Sequence, residues 1–317
     1  MIHRIALAII VAVAALGAAH AGLSAKKPQR IDDWSLPGHG GFAFGFGSAW
    51  IAGGGTLLRV SPSTGRIVSK VELPRGGGSP VVVGDSIWLS NGTGLDEFDP
   101  TTKKVVAHVP VRDAGILAFG FGSLWTVTQN GDVIRVDPKT KTVVATVPVQ
   151  QGPADWAPIL AAGEHAIWVA SADTHSVVKV DPGTNAVVSR TPVGTADSLL
   201  TVAAAYGSVW VHENAGADGR GMLYRLNPST AAVVRSMKTS SPLGGQYGGT
   251  DVAVAENSVW VANANGTVSR VAANGSRIQS SRHLVPLTEW LAVADGYVWF
   301  QSDNGDASRV PIRRFSD

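Results

Sequence analysis

Seven tryptophans in one register constrain this chain more than any other feature. Trp50, Trp88, Trp125, Trp168, Trp210, Trp260 and Trp299 recur at intervals of 38, 37, 43, 42, 50 and 39 residues. The surrounding text repeats with them: GFGSAWIA, GDSIWLS, GFGSLWTV, GEHAIWVA, AYGSVWVH, AENSVWVA and ADGYVWFQ. A second line follows in most copies, of the kind VIRVDPKTKTVVATVPV. Self-similarity at a period of about 40 residues marks a repeat architecture, in which each unit buries its apolar face only against its neighbours.

Each copy reads as four short strands. In the third, Ile116 to Gly120 is an inner strand, a Gly-Ser turn leads to Leu124 to Thr128, and Gln129-Asn130-Gly131-Asp132 turns into Val133 to Asp137. Pro138-Lys139-Thr140-Lys141 turns again, and the β-branched run Thr142 to Val147 closes the unit. Asp-Pro opens that last turn because proline presets φ and the Asp side chain bonds the backbone ahead. A four-stranded antiparallel unit of this length is a propeller blade. A sandwich gives no reason for seven equivalent tryptophans, and a β-helix coil has a shorter repeat. The expected fold is all-β, a seven-bladed β-propeller whose tryptophans pack between neighbouring blades.

The ends predict how the ring closes. Prolines 37, 74, 110, 148, 192, 242 and 286 each follow an outer strand, and Pro37 has no complete blade before it. Arg30 to Leu36 is thus an orphan outer strand, whereas the last unit stops after Ala307 to Ile312. The N-terminal strand is expected to complete the last blade, which protects two apolar faces and a sheet edge.

Ahead of the repeats, Met1 to Arg4 is a short basic region, Ile5 to Ala19 an apolar run, and Ala19-His20-Ala21 a small-x-small site. This is the layout of a signal peptide, cleaved after Ala21; the run is shorter than the roughly 20 residues a membrane span needs. Residues 22–317 then form a single domain, exported to the periplasm or secreted. The chain has no Cys, which removes thiol catalysis, thiolate metal sites and disulfide staples. A net charge of +2 without a Lys/Arg cluster argues against nucleic acid, and no membrane association is expected after cleavage. A monomer is expected.

The pattern G-x-G-S-x-W-V followed by R-V-D-P-x-T-x-x-V-V-x-T-V-P-V resembles exported bacterial propellers of the YVTN-repeat and virginiamycin-B-lyase-like group, over essentially the whole mature chain. The resemblance implies the propeller fold but no single activity, since the group spans a streptogramin lyase, subunits of periplasmic dehydrogenase complexes and many repeats with no assigned activity. In the lyase a magnesium ion and a His/Glu set act on the central face; here no Glu-x-His pair matches, only the adjacent His212-Glu213. Gluconolactonase-like propellers line the axis with Glu, Asn and Asp, and few such residues open the inner strands here. Ser63 to Val68 is similar to a quinone-dependent repeat but lacks its terminal Trp. Arg75-Gly76-Gly77-Gly78-Ser79 has the glycines of a phosphate cradle without a following helix.

The expected function is a binding or scaffold module for an envelope or extracellular protein partner or small-molecule ligand, not an enzyme and without a cofactor. The alternative is a metal-dependent lyase, which would need Mg or Ca. Function usually sits on the long loops of a rigid scaffold. These are Gln150 to Ala157, His212 to Gly221 and Thr239 to Thr250, on the face opposite the tight Gly-Ser turns. They nominate Asp155, Trp156, His212, Glu213, Tyr247 and Asp251, with Glu289 and Trp290 on the next connection, as ligand-binding residues. No metal ligand set and no catalytic residue is nominated.

Overall fold

A computed structural model describes residues 29–35, 40–150, 158–195, 198–214, 221–239, 251–263, 266–284, 288–302 and 306–316, with backbone only for 29–35, 288, 289 and 302. It contains seven four-stranded antiparallel sheets, the blades of a β-propeller. Blades 1 to 7 span residues 41–72, 78–110, 114–148, 159–192, 199–238, 251–283 and 288–311. In the third blade the strands are Ala114–Gly120, Ser123–Thr128, Asp132–Asp137 and Thr142–Pro148. The first strand of each blade touches the first strand of the next, and that of blade 7 touches that of blade 1, so the ring closes around an axis. The sheet of blade 7 takes its fourth strand from Gln29–Ser35, with Gln29 opposite Arg309 and Arg30 opposite Ser308.

The apolar core is divided among the seams between blades. Phe42, Trp290 and Trp299 meet between blades 7 and 1, Trp50 and Leu89 between blades 1 and 2, and Trp168 and Val202 between blades 4 and 5. All seven register tryptophans are almost fully buried, each facing the following blade. Removing one such side chain costs about 3–5 kcal/mol. The buried indole N–H needs an acceptor. Trp50, Trp125, Trp168, Trp260 and Trp299 donate to the carbonyl five residues back, at 3.0–3.2 Å. The preceding hairpin thereby fixes the ring.

A cation lies over this ring in six blades. Arg59, Arg135, Lys179, Arg225, Arg270 and Arg309 stand opposite the tryptophan on the third strand, 5.0–5.7 Å from the ring centre. Where the cation is Arg59, Arg135, Arg225 or Arg270, its Nε–H donates to a serine two residues before the tryptophan, at 2.8–2.9 Å. Lysine has no Nε–H to satisfy, and beside Lys179 that position is Ala166. Beside Arg309 it is Tyr297, whose ring the guanidinium covers at 4.1 Å.

The outer part of these cations ties one blade to the next. Arg135 Nη1 donates to Pro182 O (2.8 Å) and Asn185 Oδ1 (3.0 Å), Lys179 Nζ to Pro228 O (2.7 Å), and Arg225 Nη1 to Asn274 O (3.1 Å). Each acceptor lies in the third-to-fourth turn of the following blade. Arg309 reaches Ser63 O of blade 1 at 3.4 Å, joining the last seam to the first. Gly65, in that turn at φ +74°, leaves the room: a Cβ there would sit 3.0 Å from Arg309 Nη2. Blade 2 reverses the polarity, with Glu97 in the cation's place and Lys141 of blade 3 donating to it at 2.7 Å.

The third-to-fourth turns are built alike. Asp99, Asp137, Asp181 and Asn227 each accept the N–H two residues ahead on Oδ1, at 2.7–2.8 Å. In blades 1 to 6 the fourth strand then carries a bulge beside the residue paired with the tryptophan, as between Arg135 and Val136 of blade 3. The bulged residue is Val68, Val106, Val144, Val188 or Val234 in blades 1 to 5, and all five valines are 51–57% exposed. A bulge twists an edge strand away from pairing with another chain. These exposed valines therefore have a structural cause.

Deleting residues 22–36, which removes the strand Gln29–Ser35, is expected to lower the thermal midpoint by many degrees, because the outer edge of Asp306–Pro311 is then bare. A calorimetric scan with an unchanged midpoint would refute the pairing.

Candidate functional site

The residues nominated from sequence fall into separate seams. Asp155, Trp156 and Tyr247 lie outside the described residues, as does the side chain of Glu289. His212 and Glu213 belong to a strand, Ser208–Asn214, which runs further than the loop boundary expected at His212. Successive strand residues point to opposite faces. His212 accordingly faces blade 6, with Nε2 3.2 Å from the hydroxyl of Thr239, and Glu213 faces blade 4. Glu213 Oε1 accepts from the N–H and the hydroxyl of Thr195, both at 2.8 Å, and Oε2 accepts from the Tyr224 hydroxyl at 2.6 Å. Burial first, and then the Glu213 carboxylate, hold the Tyr224 phenol well above its usual range. Burial alone pushes the His212 imidazole down to about 3, so it stays neutral at ordinary pH.

Asp251 opens the first strand of blade 6 and is fully buried. Its Oδ2 accepts the N–H of Leu291 in blade 7 at 2.6 Å, while Oδ1 has no partner among the described residues. Burial drives the carboxyl well above the usual carboxylate range, against the opposing effect of the Leu291 and Val252 N–H groups. Ser79 performs the same task in blade 2, its Oγ accepting Leu117 N–H between blades 2 and 3 at 2.9 Å. Asp251 is thus a seam clasp. Trp290 is 3% exposed and belongs to the core between blades 7 and 1.

A lyase-type metal would need imidazole and carboxylate donors aimed at one point. His212 and Glu213 face opposite sides of one blade, and both Glu213 oxygens are occupied, so these residues do not fit such an ion. Among the described residues no group of three His, Asp or Glu is placed to hold a metal.

A polar cluster not foreseen from sequence lies between blades 1 and 2. The Asp96 carboxylate, buried, accepts from His108 Nδ1 (2.6 Å) and Asn91 Nδ2 (2.8 Å), with Arg75 Nη1 at 3.5 Å. Gly94 makes room for the imidazole, since a Cβ there would sit 2.7 Å from His108 Cε1. The cluster anchors the glycine-rich connection, whose Gly76 and Ser79 N–H groups bond to Leu73 O and Gly40 O. These contacts give the 75–79 segment a structural role.

The first-to-second turns behave differently. Each is a two-residue loop whose first residue has positive φ, and in every blade but the second both residues do, the type I′ geometry that Asn-Gly satisfies best. At its first position three blades carry bulky aromatics instead: Phe46 at φ 55°, Phe121 at 54° and Tyr206 at 54°. Holding such a residue left-handed costs about 1–2 kcal/mol. With Phe119, these side chains are 37%, 43%, 50% and 42% exposed for Phe46, Phe121, Tyr206 and Phe119. Apart from valines of the fourth strands, they are the exposed large apolar residues among those described. Phe46 meets Trp50 edge-on at 6.5 Å, whereas Phe121 and Tyr206 leave about half of their surface in water. Their sequence signal is the aromatic before Gly-Ser in GFGSAWIA, GFGSLWTV and AYGSVWVH, a position the turn itself would fill with Asn, Asp or Gly.

No family model and no curated protein matches the chain. Among solved structures it is similar to the crystal structure of BamB from Moraxella catarrhalis, with a TM-score of 0.59 and 18% sequence identity. The likeness covers 85% of this chain and 84% of that one, and at this identity it is a likeness of fold.

Two predictions test the site's physics. Burial raises the Asp251 carboxyl in the fold well above its unfolded value near 4, so the stability present below about pH 4 is lost as pH rises from there through the folded value. Asp251→Asn keeps the acceptor for Leu291 and does not titrate. The gap between its urea midpoint and that of the parent chain is expected to widen in the variant's favour from pH 4 to pH 8; a gap independent of pH would show no buried neutral carboxyl. At the turn face, Phe121→Asn relieves about 1 kcal/mol of strain, which offsets the partial burial it gives up. Its thermal midpoint is expected to equal or exceed the parent's, and a fall of several degrees would make Phe121 a packing residue.

Proposed function

We propose that this chain is an exported binding or scaffold propeller for an envelope or extracellular partner, working without a cofactor and as a monomer. The observation that carries this reading is the set of exposed aromatics at strained hairpin positions on one face of the ring. Aromatics are the residues that carry most binding energy at protein surfaces, and exposed apolar groups without a packing role mark contact sites. The leader-like segment before Ala21 and the repeat motifs shared with YVTN-repeat and virginiamycin-B-lyase-like propellers support export and placement in that broad group. Among the described residues no helix is long and apolar enough to cross a membrane. The bulged outer edges support the monomer.

Site-specific photo-crosslinking in the native cell tests the reading. A crosslinking side chain at position 121 or 206 is expected to give a discrete adduct in the exported fraction, and one at Val188 on the bulged perimeter is expected to give none. Adducts at 188 as strong as at 121, or none at 121 and 206, would refute a binding face at these turns. Adducts at 156 alone would move recognition to the long loops on the other side.

A further inference from the structure

The seven first-to-second turns read, around the ring, Phe46-Gly47, Gly84-Asp85, Phe121-Gly122, Glu164-His165, Tyr206-Gly207, Glu256-Asn257 and Asp295-Gly296. Aromatic and carboxylate side chains alternate from blade 1 to blade 6, and blade 7 adds another carboxylate. No Lys or Arg occupies any of these positions. Because the first strands surround the axis, their turns gather on one face near the centre of the ring.

Adjacent turns are also joined. Glu164 Oε1 accepts the N–H of Gly207 at 2.9 Å, and Tyr206 Oη accepts the N–H of Asn257 at 3.2 Å, so blades 4, 5 and 6 present one continuous arc. The cations nearest these turns are already engaged: Arg59 Nη2 donates to Phe46 O in the turn of blade 1 at 3.0 Å, and Arg270 Nε donates to Ser258 Oγ at 2.9 Å. Arg135, Lys179 and Arg225 donate outward to the next blade's third-to-fourth turn, while the field of Asp295 acts on the buried Arg309. Asp85 and Glu256 are exposed. The face thus offers ring faces and carboxylates in alternation, the combination that attracts a positively charged side chain through both the ring quadrupole and direct charge.

We infer that this face docks a Lys- and Arg-bearing segment of a protein partner, its cations seated over Phe121 and Tyr206 and against Glu164 and Glu256. The inference rests on the binding reading above and names the chemistry of the partner. An acidic segment would meet like charges, and a purely apolar one would leave the carboxylates unpaired.

Fluorescence anisotropy with two labelled dodecapeptides, one alternating Lys and Ala and the other Glu and Ala, tests it on the full mature chain. The Lys-Ala peptide is expected to bind, with affinity falling about tenfold between low and physiological salt as exposed charges are screened. The Glu164→Gln/Glu256→Gln variant keeps the acceptor for Gly207 and is expected to lose about tenfold in affinity. The Phe121→Asn/Tyr206→Asn variant is expected to lose a similar factor, with both variants melting within a few degrees of the parent. Failure of the Lys-Ala peptide to bind, equal binding of the Glu-Ala peptide, or an unchanged affinity in the carboxylate variant overturns the basic partner. If crosslinking at 121 still succeeds in that case, the binding face stands and only its chemistry is wrong. Sedimentation showing a dimer that Phe121→Asn dissolves would replace the basic segment with a second copy of this chain.

Discussion

The ring is held by one interaction repeated in its seams: an indole buried between two blades, covered by a charged side chain that continues into the next blade's turn. A single four-stranded blade cannot bury its own apolar faces, so stability in such an array is largely the sum of neighbour interfaces. Without cysteine there is no covalent closure to help. What recurs in most seams is the connection, while its chemistry varies; Arg59 instead turns back to Phe46 O of its own blade at 3.0 Å. Arg135 and Lys179 make the connection with a cation over a tryptophan, Glu97 with an anion that receives Lys141. At Trp260 the role falls to Phe315, in the short turn Ile312–Phe315, which meets the indole edge-on at 5.0 Å. The ring contact adds only about 0.5–1 kcal/mol where it is exposed, but the same side chain also sets the spacing of adjacent blades.

Seams of this kind absorb polar residues that, in a linear reading, resemble a site. Glu213 holds the same register as Ser171, three residues after the tryptophan, and both bond to the connection arriving from the preceding blade: Thr195 for Glu213, Gln150 for Ser171. Asp251 and Ser79 likewise share one position and one task. The neutral forms of His212 and Asp251 follow from where they sit, since taking a charge out of water into a closed seam is costly. A carboxyl that must remain protonated to fit, and an imidazole that must remain unprotonated, oppose each other in pH dependence. The first loses stability as pH rises above about 4, and the second as pH falls below about 6.5.

The architecture was legible in the sequence because every element that builds it is local and repeated. The tryptophan register, the Asp-Pro turns and the unmatched strand before Pro37 each sit within a few residues, and strand periodicity does the rest. The seam stack was not legible. The arginine of R-V-D-P is visible in the motif, but its acceptors lie a whole blade away, as Arg135 and Pro182 do. The nominated site residues failed to converge for a related reason. His212-Glu213 reads as a loop entrance because Asn214 and the glycines that follow have turn chemistry, yet the strand continues to Asn214 and sends the two side chains to opposite faces.

The turn face shows where the sequence departs from what the fold alone asks. The first position of these hairpins needs positive φ, and Gly84 and Asp295 meet that need with residues suited to it. Phe46, Phe121 and Tyr206 meet it with side chains that are strained there and half in water. The bulged valines are also exposed, but they repeat in five successive blades and shield an edge, as a structural feature should. The aromatics do not repeat in every blade; they alternate with Asp85, Glu164 and Glu256. An irregular pattern laid over a regular scaffold cannot come from the scaffold's own requirements. A local rule broken by side chains left half in water, on the rigid inner strands of a closed ring, is the arrangement expected of a surface selected for contact with something else.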